Sequence, residues 1–214
     1  MDTDAALVRQ LARDVDGAFP ALVADHQDRL YSIALRLLGD RRDAEEVAQD
    51  ALVRAFRAMH VYPRERIEAL RLRPWLASIT VNLARNRRRR LDDRQPPNQL
   101  EPMLDSGFDP AADDRRTAPG VVADRRETQR DLAGALLHLK PAVRAAIVLR
   151  HVDGLSVAEA AEALGRPEGT VKAQVHRGLR ELRALLEAHP EPAALDHRTP
   201  VRAATMLPVL EAIR

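Results

Sequence analysis

The sequence predicts an all-α protein with two small helical domains joined by a flexible linker. Apolar residues recur at spacings of three and four in both halves of the chain, which is the period of an amphipathic helix, and no stretch alternates like a strand. A central segment rich in proline and aspartate lacks this period. We therefore expect domains over residues 1–90 and 125–186, a linker over 91–124 and a C-terminal extension over 187–214.

The first domain is predicted to contain several helices. Gly39 and Asp40 interrupt the helical pattern, and the helix after them carries an apolar side formed by Ala48, Ala51, Leu52, Ala55, Phe56 and Met59. A charged loop over residues 60–73 follows. Pro74 then stands in the first turn of the next helix, where proline is best tolerated.

The helix after Pro74 has an apolar stripe beside a polar one. The apolar stripe contains Trp75, Leu76, Ile79 and Leu83, and the polar stripe contains Ser78, Asn82, Arg85, Asn86 and Arg89. Asparagine amides can hydrogen-bond a base edge while arginines bind phosphates. Together with the arginine run over residues 87–90, the pattern favours a nucleic-acid surface over a solvated helix end.

The helix after Asp40 also has a mostly acidic face, which includes Glu46, Gln49 and Asp50. A metal site is disfavoured because no histidine joins these carboxylates and Arg54 lies four residues after Asp50, where it can pair with it. A docking surface for a partner protein and a solvated face both remain open.

The second domain contains the pattern of a helix-turn-helix. Ser156 and Glu159 form a capping box, and Gly165 provides a left-handed stop after the first helix. After a turn over residues 166–169, the second helix is predicted to bury Val171, Val175, Leu179, Leu182 and Leu186. Two short helices that meet at a glycine turn are typical of this motif.

The outer face of the second helix carries Lys172, His176 and Arg180, with Ala173 and Arg177 beside them. In a helix-turn-helix the N-terminal half of this helix enters the major groove of DNA, where arginine and lysine read guanine edges. The face therefore predicts DNA binding, with an amphipathic hairpin and a solvated basic face as the alternative.

Composition limits the function classes. The chain has no cysteine, which excludes disulfides, thiolate metal sites and cysteine nucleophiles, and its net charge is only +2. The N-terminus lacks a secretory signal, and no run reaches the roughly 20 apolar residues that a membrane span needs. We expect a soluble cytoplasmic protein without a metal or cofactor.

Three segments in this order resemble the extracytoplasmic-function sigma factors of bacteria, which are promoter-specificity subunits of RNA polymerase. They are "RLLGDRRDAEEVAQDALVRAF", "RPWLASITVNLARNRRRR" and "LKPAVRAAIVLRHVDGLSVAEAAEALGRPEGTVKAQVHRGLRELRALL". The resemblance covers residues 19–90 and 125–186. It implies a region 2-like domain and a region 4-like domain, no enzymatic activity, and binding to core RNA polymerase and promoter DNA; an anti-sigma factor remains open.

The resemblance also implies roles for individual residues. The core polymerase would contact Asp43, Glu45, Glu46, Gln49 and Asp50. The −10 element would contact Asn82, Arg85, Asn86, Arg88 and Arg89, with Asn82 and the loop over residues 60–73 holding a flipped base. The −35 element would contact Thr170, Lys172, Ala173, His176, Arg177 and Arg180. Lys172 departs from the family's arginine, which weakens bidentate guanine readout.

Two other functions compete with this interpretation. A stand-alone helix-turn-helix regulator would use only residues 125–186 and would dimerise on a palindrome. An enzyme that processes nucleic acid would use Asp43, Glu46 and Asp50 with magnesium, but no further ligands or general base are apparent nearby.

Overall fold

The computed structural model describes residues 3–94 and 132–188, and each regular element in these ranges is a helix. The helices are α1 Thr3–Leu11, α2 Val15–Leu38, α3 Arg41–Val61, α4 Arg64–Glu68, α5 Leu72–Arg94, α6 132–138, α7 Pro141–Ile147, α8 Val157–Leu164 and α9 Glu168–Ala188. The predicted all-α class is confirmed. Most of the predicted linker and nearly all of the predicted C-terminal extension lie outside the described residues.

Helices α1–α5 form what we call the N-terminal bundle. The Asp14 side chain caps α2 by accepting from the backbone N–H of Gly17, and Gly39 ends α2 with φ of 83°. Asp40 then caps α3 by accepting from the N–H of Asp43 at 2.8 Å. The chain therefore reverses within two residues, and α2 packs along α3.

Small side chains allow the helices of the N-terminal bundle to approach closely. The face of α3 toward α2 and α5 consists largely of alanine, and Ala44, Ala48, Ala51 and Ala55 are fully buried. Leu30 and Ile33 of α2 and Leu76 of α5 fill the space between the helices. Pro74 lies in the first turn of α5, as predicted.

Helices α6–α9 form the C-terminal bundle. Helix α7 continues as one π-helical turn over Val148–Val152, and Gly154 turns the chain with φ of 73°. The Ser156–Glu159 capping box and the left-handed stop at Gly165, with φ of 60°, are both confirmed. Helix α9 begins at Glu168, so the turn is shorter than predicted.

The buried side of α9 differs from the prediction. Val171 and Leu182 are buried and Val175 is partly buried, but Leu179 and Leu186 are 44% and 40% exposed. The reason is Gly178, where an added Cβ would lie 2.3 Å from Ile147 Cδ1 of α7. Helix α9 therefore contacts α7 most closely at Gly178, and Leu179 and Leu186 lie at the edge of this contact.

The two bundles pack against each other, which the sequence pattern did not indicate. One hydrophobic cluster runs from the N-terminal bundle through Leu149 and Leu155 to Ala160 of α8, and α5 packs along α8. Gly39 lies so close to Leu137 of α6 that an added Cβ would approach its side chain to 2.6 Å. In the described part of the chain, no helix is long and apolar enough to cross a membrane.

Candidate nucleic-acid interface

Helix α9 presents the residues predicted to contact DNA on its outer side. Thr170, Lys172, Ala173, His176, Arg177 and Arg180 are all exposed. The opposite side is fixed by Val171, Gly178 and Leu182, and the capping box fixes the start of α8. We call the six exposed residues the recognition face; it lies on a helix held rigidly by its buried side.

Helix α5 divides into a buried and an exposed side. Leu72, Leu76 and Leu83 are buried, whereas Trp75 is only partly buried and its ring centroid lies 6.2 Å from that of Tyr62. The exposed side, here called the α5 polar face, contains Asn82, Arg85, Asn86 and Arg89, with the half-buried Arg88 at its edge. Of the predicted stripes, the apolar Leu76 and Leu83 are buried and the polar residues from Asn82 onward are exposed, as predicted. Trp75, Ile79 and Ser78 are only partly buried.

The charged loop over residues 60–73 contains the short helix α4. The Arg66 guanidinium lies 3.7 Å above the centre of the Tyr62 ring, which fixes the ring in a cation–π contact. The Tyr62 side chain is half-buried, and Val61 beside it is 82% exposed. Arg71 and Arg73, at the end of the loop, point instead to the C-terminal bundle.

The acidic side of α3 is partly neutralised by one arginine of α5. Arg87 donates to Asp43, which is buried, and its Nη1 lies 2.8 Å from Glu46 Oε2. The hydrogen bond to Asp43 raises the pKa of Arg87 above its usual range, and this favours the charged pair. Arg87 therefore ties α5 to α3, although the sequence places it in the arginine run assigned to nucleic acid.

The other acidic positions of α3 are more accessible. Glu46 and Asp50 are exposed, and Glu45 and Gln49 are half-buried. The expected Asp50–Arg54 pair does not form between these described residues. We call Glu45, Glu46, Gln49 and Asp50 the acidic face. Within residues 4–91 and 132–187, no group of three acidic or histidine side chains is arranged to hold a metal ion.

Buried charges join the two bundles, and these residues were missed by the sequence analysis. Arg29 of α2 donates from Nε and Nη2 to both carboxylate oxygens of Asp153, whose side chain is fully buried. Arg29 also donates to the carbonyl of Arg73, and Arg73 donates to the carbonyl of Asp153 at 2.6 Å. We call these three residues the inter-bundle clamp. The sequence signal at this place is the Asp153-Gly154 pair, which is typical of a helix end and does not indicate a buried ion pair.

Arg144 is a second buried charge at the junction. The residue is 1% exposed, and its guanidinium donates to the backbone carbonyls of Leu37, Leu136, Leu137 and Leu139. These carbonyls lie at the C-terminal ends of α2 and α6, where helices leave acceptors unsatisfied. Burial, with a smaller effect of nearby Arg88, lowers the pKa of Arg144 to about 10.

Arg71 adds an exposed contact between the bundles. Its two terminal nitrogens lie 2.9 Å from Glu159 and from Glu162 of α8. Because the Arg71 side chain is 53% exposed, these pairs contribute little stability. The clamp and Arg144 are buried polar contacts of the junction, beside the apolar cluster that runs through Leu149 and Leu155.

Two family models match the chain. The model for Sigma-70 region 2 matches residues 22–94, and the model for Sigma-70 region 4 matches residues 129–182. The first match covers most of the N-terminal bundle, including the acidic face and the α5 polar face. The second covers the helix-turn-helix and the recognition face.

Curated relatives and solved structures agree with these matches. The chain is 35% identical over 171 residues to the ECF RNA polymerase sigma factor SigE of Mycolicibacterium smegmatis, covering 78% of this chain and 61% of the relative. It is 30% identical over 186 residues to SigK of Mycolicibacterium vanbaalenii, covering 85% and 88%. It is also similar to CnrH in complex with the cytosolic domain of CnrY, with a TM-score of 0.61, 27% identity, and coverage of 88% and 99%.

Proposed function

Because this chain belongs to the extracytoplasmic-function sigma factors, we propose that its three exposed surfaces bind the −35 element, the −10 element and core RNA polymerase. The protein directs promoter-specific transcription initiation. The observation that carries the assignment of surfaces is that each lies on a helix whose opposite side is buried. Each surface can therefore bind a partner without unfolding its helix.

The recognition face of α9 binds the −35 element in this proposal. Lys172 and Arg177 read base edges in the major groove, and exposed cations beside them neutralise phosphates. Ala173 allows the helix backbone to approach the bases closely. Support comes from the rigid mounting of α9 on α7 through Gly178.

The α5 polar face binds the −10 element and helps to open the duplex. Asn82 and Asn86 offer amide donors and acceptors to an exposed base, while Arg85, Arg88 and Arg89 bind phosphates. The Tyr62 ring, fixed under Arg66, stands near the start of α5 through its contact with Trp75. Extruding one base costs a few kcal/mol, so the polymerase must share this work.

The acidic face of α3 docks on core polymerase. Glu46 and Asp50 offer exposed carboxylates, and Glu45 and Gln49 contribute partly exposed side chains. Asp43 acts differently from the other four residues, because it is buried against Arg87. We assign Asp43 to positioning the surface through Arg87 rather than to direct contact.

The division of the chain follows the same proposal. Residues 1–90 bind polymerase and the −10 element, residues 91–124 link the domains, residues 125–186 bind the −35 element, and residues 187–214 form an extension without an assigned role. The matches over 22–94 and 129–182 support this division. In this proposal the protein works in the cytoplasm without catalytic activity and binds an anti-sigma factor. The similarity to CnrH, which was solved in complex with the cytosolic domain of CnrY, supports a protein partner.

In vitro transcription tests the proposal. Core polymerase is incubated with randomised promoters, with and without the full chain, and the initiated sequences are compared. We expect initiation from one shared pair of motifs only when the chain is present. Recognition of DNA by the free chain, without any association with core polymerase, would instead support a stand-alone regulator.

Two variants test the acidic face and the α5 polar face independently of each other. Charge reversal of Glu46 and Asp50 should abolish co-purification with core polymerase. Because the change at Glu46 also places a cation beside Arg87, circular dichroism is used to check that the variant keeps its helix content. Asn82→Ala should leave polymerase binding intact but reduce permanganate reactivity at the −10 region. Unchanged polymerase binding in the first variant, or unchanged reactivity in the second, would contradict that assignment.

A further inference from the structure

A cleft of about 220 Å³ lies between the two bundles. Its floor is apolar and comes from both sides of the junction: Leu37, Val81 and Ala84 from the N-terminal bundle, and Pro141, Ala142 and Ala145 from the C-terminal bundle. Five arginines complete the lining: Arg85, Arg88, Arg89, Arg144 and Arg166. We call this the arginine cleft; it exists only while the bundles are packed together.

Within residues 4–91 and 132–187, no acidic side chain balances the charge of the arginine cleft. None of its lining residues is acidic. Arg144 is bound only by carbonyl groups, and the other four arginines form no ion pair with any residue in the described ranges. Arg87, in the same run of α5, shows the contrast, because it is paired with Asp43 and Glu46.

We propose that the arginine cleft binds a small organic anion, with its apolar body on the alanine and proline floor and its phosphate or carboxylate on the arginines. The volume suits one ring or a short alkyl chain with a head group. Apolar walls with a few convergent charged groups are the usual composition of small-molecule sites. Guanidinium groups bind phosphate and carboxylate strongly through paired N–H donors.

Such a ligand regulates the packing of the bundles. Because both bundles line the cleft, the anion binds the packed arrangement and not the separated one, so it shifts the equilibrium toward packing. It also occupies Arg85, Arg88 and Arg89, which the proposed function assigns to DNA phosphates. The ligand therefore opposes promoter binding in two ways.

Calorimetry on the full chain tests the site, with phenyl phosphate as the probe. Phenyl phosphate should bind about tenfold more tightly than inorganic phosphate, because its ring covers the apolar floor. Ala142→Phe fills the cleft without changing its charge and should remove this advantage, whereas Ala142→Ser keeps the space and should retain it. If both probes bound with equal affinity and Ala142→Phe changed neither affinity, the cleft would be only a charged surface, and the proposal would be overturned.

A second pair of variants tests the charge. Arg166→Gln should weaken phenyl phosphate binding about tenfold, while Arg42→Gln, at an exposed position of α3 that does not line the cleft, should not. Equal losses in both variants would mean that only the net charge matters, and would overturn the proposal. None of these measurements involves polymerase or DNA, so their failure is distinct from failure of the proposed function.

The effect on packing is measured by energy transfer between dyes. Because the chain has no cysteine, Arg57→Cys on α3 and Ala184→Cys on α9 provide two unique labelling sites, and both positions are exposed. Phenyl phosphate should increase transfer efficiency in the otherwise unchanged chain and have no effect in the Ala142→Phe variant. Binding without any change in transfer would overturn the regulatory part of the proposal.

Discussion

At the scale of single residues, the local environment decides what an arginine does. Arg87 and Arg88 are neighbours in one run, yet Arg87 pairs with two carboxylates of α3 while Arg88 lines the arginine cleft. Arg144 lies in an apolar stretch and binds only carbonyls. A run of identical residues thus has at least two functions, because successive side chains on a helix point 100° apart.

The Arg177→Ala variant tests base reading at this scale. We expect a loss of about 1–3 kcal/mol in binding free energy at one base pair of the −35 element, since a guanidinium that reads guanine is lost. The measurement is binding of polymerase holoenzyme to promoters that differ at single positions. An equal loss on all sequences would show that Arg177 contacts only phosphate.

Gly178→Ala tests the packing of α9. An added Cβ would lie 2.3 Å from Ile147 Cδ1 and 2.6 Å from Val143 Cγ1, so we expect the free energy of unfolding to fall by about 1–3 kcal/mol. The control is Gly169→Ala, where no atom lies within 4 Å and alanine favours the helix. Urea denaturation compares the two. Equal stability of both variants would contradict the close approach of α9 to α7.

At the scale of helices, the sequence predicts where each helix begins and ends more accurately than which of its side chains are buried. Asp40, Gly39, Ser156 and Gly165 act through neighbouring backbone groups, so their roles are visible in a few consecutive residues. The exposure of Leu179 depends on how closely α7 approaches α9, and this distance is set by tertiary packing. The Arg87 contact with α3 joins residues 44 positions apart and leaves no local pattern.

The capping box of α8 allows a prediction about pH. The hydrogen bonds from Ser156, first from its backbone and then from its side chain, lower the pKa of Glu159. A carboxyl group whose pKa is lower in the folded state stabilises the fold above its unfolded pKa, and this stabilisation is lost as the pH falls through the folded value. Glu159→Gln should therefore flatten the dependence of stability on pH as the pH falls below about 4.5, the ordinary pKa of a glutamate.

Ser156→Ala is the companion variant. It should lower the free energy of unfolding by about 1 kcal/mol at neutral pH, because the N–H of Glu159 loses its acceptor. Urea denaturation at pH 7 and at acidic pH measures both variants. If the stability of Glu159→Gln depended on pH in the same way as that of the wild type, the capping box would not be the cause of the pH dependence.

At the scale of the whole molecule, the packing of the bundles conflicts with simultaneous binding of both promoter elements. Two elements about 20 base pairs apart are separated by roughly 70 Å along the DNA. The bundles in this structure touch directly through buried apolar residues and through the contact of the partly buried Arg29 with the buried Asp153. If the two bundles bind the two elements as proposed, the packed arrangement is a state of the chain away from the promoter, and the bundles separate for initiation.

The last prediction concerns the inter-bundle clamp and its effect on the packing of the bundles. Asp153→Asn removes the charge that Arg29 contacts, and breaking a buried pair costs about 3 kcal/mol because the remaining charge stays desolvated. The cost falls on the packed arrangement, since Arg29 regains water when the bundles separate. We therefore expect lower energy transfer between dyes at Arg57→Cys and Ala184→Cys, while the helix content measured by circular dichroism stays unchanged.

Arg64→Gln provides the control for this experiment, because the Arg64–Glu68 pair is exposed, lies within α4 and spans no junction. It should leave energy transfer at the wild-type level. If Asp153→Asn left transfer unchanged as well, the apolar contacts around Leu149 and Leu155 alone would hold the bundles, and separation would have to be driven by the polymerase and the DNA. A decrease confined to Asp153→Asn would instead mean that two side chains set how readily this sigma factor opens.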